Sequence, residues 1–143
     1  MPLTTNNFLE TLLSNSIQRN TYPSMSEWFI NFVAATKHTS STLEQAALGG
    51  RISMNMGFAF SAGYQSAIQS LFNPGDRQLA SLCISEQQGN HPKVIRSALT
   101  RHGQNWHLNG SKSFITGASD AEQLYVAATT GLDNENRPKI KML

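Results

Sequence analysis

The feature that most constrains the fold of this chain is a change of hydrophobic period near residues 73–77. Before this point apolar residues recur every three or four positions, which predicts amphipathic helices, and after it they alternate, which predicts strands. Helices followed by strands predict an α+β chain, with a helical domain over residues 1–76 and a β-domain over residues 77–143. A chain of 143 residues can bury a core without disulfides.

Start signals and apolar stripes predict four helices in the first half. Ser24–Glu27 and Ser41–Glu44 both have the spacing of a capping box, in which side chain and backbone satisfy each other's free groups at a helix start. A helix over residues 5–19 is predicted to precede them, and a long one from Arg51 to Phe72 to follow. The pair Gly49–Gly50 is expected to interrupt or kink the third helix.

Alternating segments predict the strands of the second half. The dipeptide Asn109–Gly110 is the strongest turn signal, because both positions of a type I′ turn need a positive φ. It predicts a tight hairpin between Trp106–Leu108 and Ser111–Ile115. The other predicted strands are Leu79–Ser85, Val94–Arg101, Leu124–Thr129 and Pro138–Met142.

Composition excludes several function classes. The net charge of +2 is too small to indicate nucleic-acid binding. No apolar run approaches the length of a membrane span, and the first twenty residues lack a secretory-signal pattern, so we expect a cytoplasmic protein. Only 14% of residues are charged, against about a quarter in typical soluble domains. We therefore expect part of the surface to be covered by a partner.

Common catalytic and metal-binding signatures are absent from the sequence. It contains no G-x-G-x-x-G, G-x-x-x-x-G-K, G-x-S-x-G or H-E-x-x-H. The single cysteine, Cys83, lies in an apolar run and is expected to be buried. His102 and His107 flank a turn, but no third ligand is obvious, so no metal site is predicted. Carboxylates are dispersed, and no catalytic acid/base pair follows from their spacing.

Several segments together resemble the middle domain of acyl-CoA dehydrogenases. In that family a strand ending in Thr-Glu is followed by a segment reading W-x-L-N-G-x-K-x-(W/F)-I-T-(N/G), at the same separation along the chain as in this sequence. Here the strand is Ala80–Glu86, and Trp106–Gly117 fits the second pattern. Ser97–Gly103 and Ser119–Ala121 extend the resemblance, and the helix from Arg51 to Phe72 looks like a late helix of the family's N-terminal domain.

The resemblance implies a fold, a cofactor and an activity. The fold would be an N-terminal helical domain followed by a partial antiparallel β-barrel domain that binds FAD. Ile84 and Ser85 would contact the pyrimidine edge of the flavin, Phe114 would pack against its ring, and Thr116 would donate toward the reactive N5 region. The implied activity is α,β-dehydrogenation of an acyl-CoA or similar thioester, as in fatty acid metabolism, by an oxidoreductase that forms homo-oligomers.

The chain departs from the family pattern in two ways that leave alternatives open. The loop Gln87–Pro92 replaces the usual Pro-Gly-x-Gly-Ser-Asp and keeps one glycine. The family's base is supplied by a C-terminal helical domain, so no catalytic residue is expected in this chain, which would be an N-terminal fragment or a short relative that needs a partner. The alternatives are a non-catalytic interaction module of the same fold, self-associating through an open edge at Pro138–Met142, and a related flavin monooxygenase or oxidase.

Overall fold

The computed structural model describes residues 5–39, 41–74 and 77–143. Within these ranges four α-helices precede a five-stranded sheet, so the chain is α+β. The helices are α1 (Thr5–Leu13), α2 (Met25–Thr36), α3 (Thr42–Ile52) and α4 (Met56–Phe72). The strands are β1 (Ala80–Cys83), β2 (Ala98–His102), β3 (Asn105–Asn109), β4 (Gln123–Leu132) and β5 (Pro138–Met142).

The chain divides into two compact units. The helical unit extends to Ala80 and includes the short segment Ser119–Glu122. The second unit comprises Ser81–Ala118 and Gln123–Leu143. The sequence predicted a domain boundary between residues 76 and 77. This position adjoins residues 75 and 76, which lie outside the described ranges.

The helix starts follow the capping signals of the sequence. Ser24 caps α2 by accepting the N–H of Glu27, and Ser41–Glu44 forms both hydrogen bonds of the capping box at α3. The helix predicted over residues 5–19 ends at Leu13, and the one predicted from Arg51 begins only at Met56, capped by Asn55.

The expected interruption at Gly49–Gly50 is wrong, because α3 continues to Ile52. A Cβ added at Gly49 would lie 2.6 Å from the Phe32 ring and 2.7 Å from Cβ of Ala62. The glycine therefore allows α3 to pack closely against its neighbours, and the helix geometry is kept.

An aromatic cluster forms the core of the helical unit. The Trp28 side chain is fully buried, and its ring stacks on Phe32 and Phe58 at centroid distances of 5.1 Å and 5.8 Å. The indole Nε1 donates a hydrogen bond to Ser53 Oγ at 3.0 Å, which satisfies its only polar atom. Leu79 completes this cluster.

The sheet has the order β1-β4-β2-β3, with β5 paired to β4. The β2–β3 and β4–β5 pairs are antiparallel, but Ala98 of β2 pairs with Thr129 of β4 in parallel. The described strands therefore form an open mixed sheet, which differs from the expected antiparallel arrangement in this one parallel pair. No helix within the described ranges is long and apolar enough to cross a membrane.

The hairpin predicted at Asn109–Gly110 is also wrong. The hairpin in the structure is β2–β3, closed by Gly103 and Gln104, and Gly103 has the positive φ of 62° that the first position of a type II′ turn requires. Gly110 has a φ of 154° and packs against Ser97. After this glycine the chain forms no strand over 111–115 and runs instead beside the end of β1.

The remaining strand predictions differ mainly in length. The segment predicted as Val94–Arg101 begins its strand only at Ala98, because Pro92–Val94 forms a 3-10 turn. The strand β1 is shorter than the predicted Leu79–Ser85, and β4 is longer than the predicted Leu124–Thr129. The predicted strand Pro138–Met142 is confirmed as β5.

Candidate functional site

A buried ion pair lies where the end of β1 meets the segment that follows Gly110. Lys112 Nζ lies 2.8 Å from Glu86 Oε1, and the two side chains are 10% and 8% exposed. The same ammonium donates to the carbonyl oxygen of Ile84 at 3.2 Å. The pair connects two segments that are 26 residues apart in the chain.

Backbone N–H groups complete the surroundings of the carboxylate. Arg96 N donates to Oε2 of Glu86 at 2.7 Å, and Ser97 N donates to Oε1 at 2.9 Å. The carboxylate therefore accepts hydrogen bonds from an ammonium and from two successive peptide groups. Such charge-assisted bonds are about twice as strong as neutral ones.

Opposing effects set the pKa of Glu86. Burial by itself raises the pKa, but the hydrogen bonds from Lys112 and from the N–H groups of Ser97 and Arg96 outweigh it and lower the pKa to about 2. The Ser97 hydroxyl contributes in the same direction. Glu86 is therefore ionised at neutral pH and acts as a fixed structural charge, not as a proton acceptor.

Two further hydrogen bonds hold the segment 112–116 beside the segment 81–86. Ser113 N donates to the carbonyl oxygen of Ser85 at 2.8 Å, and Ser81 Oγ donates to the carbonyl oxygen of Thr116 at 2.7 Å. Together with the ion pair, these bonds fasten both ends of the segment that contains Phe114.

Phe114 itself combines exposure with an unusual backbone conformation. Its side chain is 93% exposed, the highest value among the large apolar residues of the described ranges. Its φ of 57° lies in the left-handed region, which costs about 1–2 kcal/mol for a residue with a Cβ. The contacts of Lys112, Ser113 and Thr116 hold this conformation, and strained residues of this kind cluster at functional sites.

A cavity of about 540 Å³ opens beside the ion pair. Its walls mix polar and apolar surface and are formed by Glu86, Gln87, Gln88, Val94, Arg96, Ser97, Gly110, Ser111 and Ser113. A Cβ at Gly110 would lie 2.6 Å from Cα of Ser97, so only glycine allows this approach. The Ser97 hydroxyl is buried and, although it lies near Glu86, it makes no hydrogen bond of normal geometry within the described residues.

The loop after Glu86 closes on itself. Glu86 and Gly89 exchange two backbone hydrogen bonds of 2.9 Å each, and Gly89 has a φ of 114°. The single glycine that the loop retains is therefore used for a tight turn. This turn places Gln87 and Gln88 at the wall of the cavity.

The structure brings together the segments that contain the four residues predicted to bind a cofactor. Ile84 and Ser85 are half-buried and contact the Lys112–Ser113 backbone and side chain described above. Thr116 is half-buried, and Phe114 is exposed on the same short segment. The hydroxyls of Ser85 and Thr116 make no hydrogen bond within the described residues and are available to a ligand.

The side chains at this site are of the types that a flavin-binding site uses. An isoalloxazine needs an apolar face to pack on and donors along its polar edge. Phe114 offers the face, and the free hydroxyls of Ser85 and Thr116 offer donors.

Sequence reasoning missed the Glu86–Lys112 pair, although both residues lie inside the segments that carry the resemblance. The available signal was a carboxylate directly after a predicted buried strand and a lysine two residues before Phe114, in a chain with only 14% charged residues. Long charged side chains are rarely buried without a partner. Cys83 is buried as expected, and burial raises the pKa of its thiol, which argues against a nucleophile.

The described residues contain no group of three or more His, Cys, Asp or Glu side chains that could hold a metal ion. In comparisons with known proteins, no protein-family model matches the chain, and no curated protein and no solved structure matches it significantly.

Proposed function

We propose that this chain is the flavin-binding part of an FAD-dependent oxidoreductase of the acyl-CoA dehydrogenase type, acting on an acyl-CoA or similar thioester. The observation that carries the proposal is the Glu86–Lys112 pair, which holds the Ile84–Ser85 segment, directly after β1, beside the Phe114–Thr116 segment. Both segments are the ones that resemble the family's flavin-binding residues. We propose further that the open sheet is part of that family's β-barrel domain.

Each residue has a role that its surroundings support. Phe114, held with its ring in solvent, packs on the flavin face, and the burial of this ring offsets the strain of its backbone. The free hydroxyls of Ser85 and Thr116 bind the polar edge, and Ile84 lines the strand end. When bound, the flavin would accept a hydride from the substrate.

The chain's own residues bind and orient the flavin. None of them is assigned to removal of the α-proton from the thioester. Glu86 is the only carboxylate that lines the cavity beside the site. It cannot act as the base, because its pKa is lowered to about 2 and it is held in an ion pair with Lys112. The resemblance implies that a carboxylate in a C-terminal helical domain removes the α-proton. We propose that the active protein is a cytoplasmic homo-oligomer.

The experiment is reconstitution of the full chain with FAD, followed by desalting and measurement of visible flavin absorbance. We expect stoichiometric binding by the wild type and at least tenfold weaker binding by Phe114→Ala, because the apolar face is lost. Phe60→Ala is the matched control, since Phe60 is an exposed phenylalanine on α4 in the helical unit. A wild type that never acquires flavin, or equal losses in both variants, would refute the proposal.

A second candidate, a non-catalytic interaction module, is favoured by the exposed sheet edge. Every residue of β3 is exposed, and its outer edge is unpaired within the described strands. The loop Gln87–Pro92 is also closed by its own turn at Gly89. This candidate predicts self-association without flavin. Among the described strands β5 pairs only with β4 and so has a free edge as well. Met142→Glu on β5 is expected to abolish association through this edge, and a wild type that stays monomeric at all concentrations would exclude this candidate.

A further inference from the structure

The β2–β3 hairpin presents two histidines on one face. In the strand register, Thr100 is opposite His107 and His102 is opposite Asn105, so these side chains alternate away from the Arg101 and Trp106 face. The ring centroids of His102 and His107 lie 4.6 Å apart. Both residues are exposed.

The nitrogens of both imidazoles are available to a ligand. Neither ring makes a hydrogen bond or an ion pair within residues 5–39, 41–74 and 77–143. By contrast, His91 Nδ1 accepts the backbone N–H of Lys93 at 3.2 Å. The face therefore carries two adjacent, uncommitted imidazoles, and imidazole is the commonest protein ligand of divalent transition metals.

The centroid distance fits coordination of one ion by both rings. With a metal–nitrogen distance of about 2.0–2.1 Å, the ion lies about 3.2 Å from each ring centroid. If a nitrogen of each ring is directed at the same ion, a centroid separation of 4.6 Å corresponds to an angle of about 92° at the metal, close to the right angle of tetragonal coordination. Tetrahedral coordination would require centroids about 5.2 Å apart.

The hairpin holds this arrangement before any ion binds. Five residue pairs join β2 to β3, and a two-residue connection closes them at Gly103. On the opposite face the Arg101 guanidinium lies 5.9 Å from the Trp106 ring centroid, and its Nε donates to the Gly103 carbonyl at 3.0 Å. Preorganised ligands lose little conformational freedom on binding, which favours chelation over binding by either imidazole alone.

We propose that His102 and His107 form a bidentate site for a tetragonal divalent ion, with Cu²⁺ preferred over Ni²⁺ and Ni²⁺ over other first-row ions apart from Zn²⁺. Asn105, opposite His102 in the register, lies on the same face as both histidines, and water completes the coordination. The site is independent of the proposed flavin-binding residues and needs no group from them.

The test is titration of the untagged full chain with CuCl₂ and, separately, NiCl₂ by isothermal calorimetry. We expect one ion per chain for the wild type and at least tenfold weaker binding for His102→Gln and for His107→Gln, because each variant loses the chelate. His38→Gln and His91→Gln are matched controls from the chain's other two histidines, and they are expected to bind as the wild type does. Titration with NiCl₂ also avoids copper oxidation of Cys83.

Two results would overturn the proposal: wild-type affinity no greater than that of the double variant His102→Gln/His107→Gln, or an equal loss in a control variant. Electron paramagnetic resonance of the Cu²⁺ complex gives an independent readout, since coupling to two nitrogen ligands is expected in the wild type and to at most one in either single variant. Circular dichroism checks that each variant is folded. We expect all of them to fold, because the substituted histidines are exposed.

Discussion

Removing the ammonium of Lys112 should destabilise the second unit strongly. In Lys112→Met the Glu86 carboxylate would stay buried with only the N–H groups of Arg96 and Ser97 as donors. Breaking a buried ion pair on one side costs about 3–5 kcal/mol, and the two remaining donors place the expected value near 3 kcal/mol. That is a large part of the roughly 5–15 kcal/mol by which domains are stable.

The pKa of Glu86 reflects how strongly Lys112 and the two backbone N–H groups together stabilise the ionised carboxylate against its burial. Its reduction from 4.5 to about 2 corresponds to about 3 kcal/mol of stability. Because the pKa is lower in the folded state, this stability is fully present above pH 4.5 and is lost as the pH falls toward 2. In Lys112→Met the folded-state pKa rises, so the loss of stability on acidification should be smaller and should be complete at a higher pH.

The assay is urea unfolding followed by circular dichroism, at neutral pH and at several acidic values. Hydrogen exchange of the Arg96 and Ser97 amides reports directly on the hydrogen bonds to the carboxylate. Lys141→Met is the matched control, because Lys141 is exposed on β5 and makes no ion pair within the described residues, and it should change stability by less than about 0.5 kcal/mol.

The double variant Glu86→Gln/Lys112→Met separates the ion pair from other effects of the substitution. It removes the unpaired charge, so its destabilisation should be less than the sum of the two single losses. A Lys112→Met variant as stable as the control, with unchanged amide protection at Arg96 and Ser97, would refute the assignment of this pair as the connection between the two segments.

Three further substitutions test the packing. Gly110→Ala would place a Cβ 2.6 Å from Cα of Ser97 at a φ of 154°, and we expect a loss of at least about 2 kcal/mol by urea unfolding. Gly50→Ala, in open space within α3, should instead stabilise by about 0.5–1 kcal/mol, and a loss there would contradict the helix assignment. Trp28→Phe removes the indole donor to Ser53 and part of the core volume, and a thermal melt should show a loss of about 2 kcal/mol; an unchanged midpoint would contradict the buried hydrogen bond.

Local signals in the sequence fixed much of the helical unit. The Ser41–Glu44 capping box and the Ser24 cap lie where the pattern indicated, because capping depends on groups within one turn of the chain. The strand Pro138–Met142 was likewise readable from alternation alone. The continuous stripe from Arg51 did not reveal the break before Met56, since residues at the end of one helix and the start of the next can share a face.

Turn propensity failed where tertiary packing was stronger. Asn109–Gly110 has the best local hairpin signal, yet Gly110 instead allows the backbone to pack closely against Ser97. The hairpin forms earlier in the chain, at Gly103. A local preference of this kind is worth about 1 kcal/mol, which several non-local hydrogen bonds readily exceed.

The sequence by itself therefore determined the α+β class, the helix starts and the segments in which the candidate site lies. Only the tertiary structure decided that Glu86 and Lys112 meet, that Phe114 is held outward with a positive φ, and that His102 and His107 lie in contact as diagonal neighbours on the β2–β3 hairpin. The physical reason is range: capping and periodicity act between residues a few positions apart, whereas an ion pair across 26 residues exists only once the sheet has brought its two segments together.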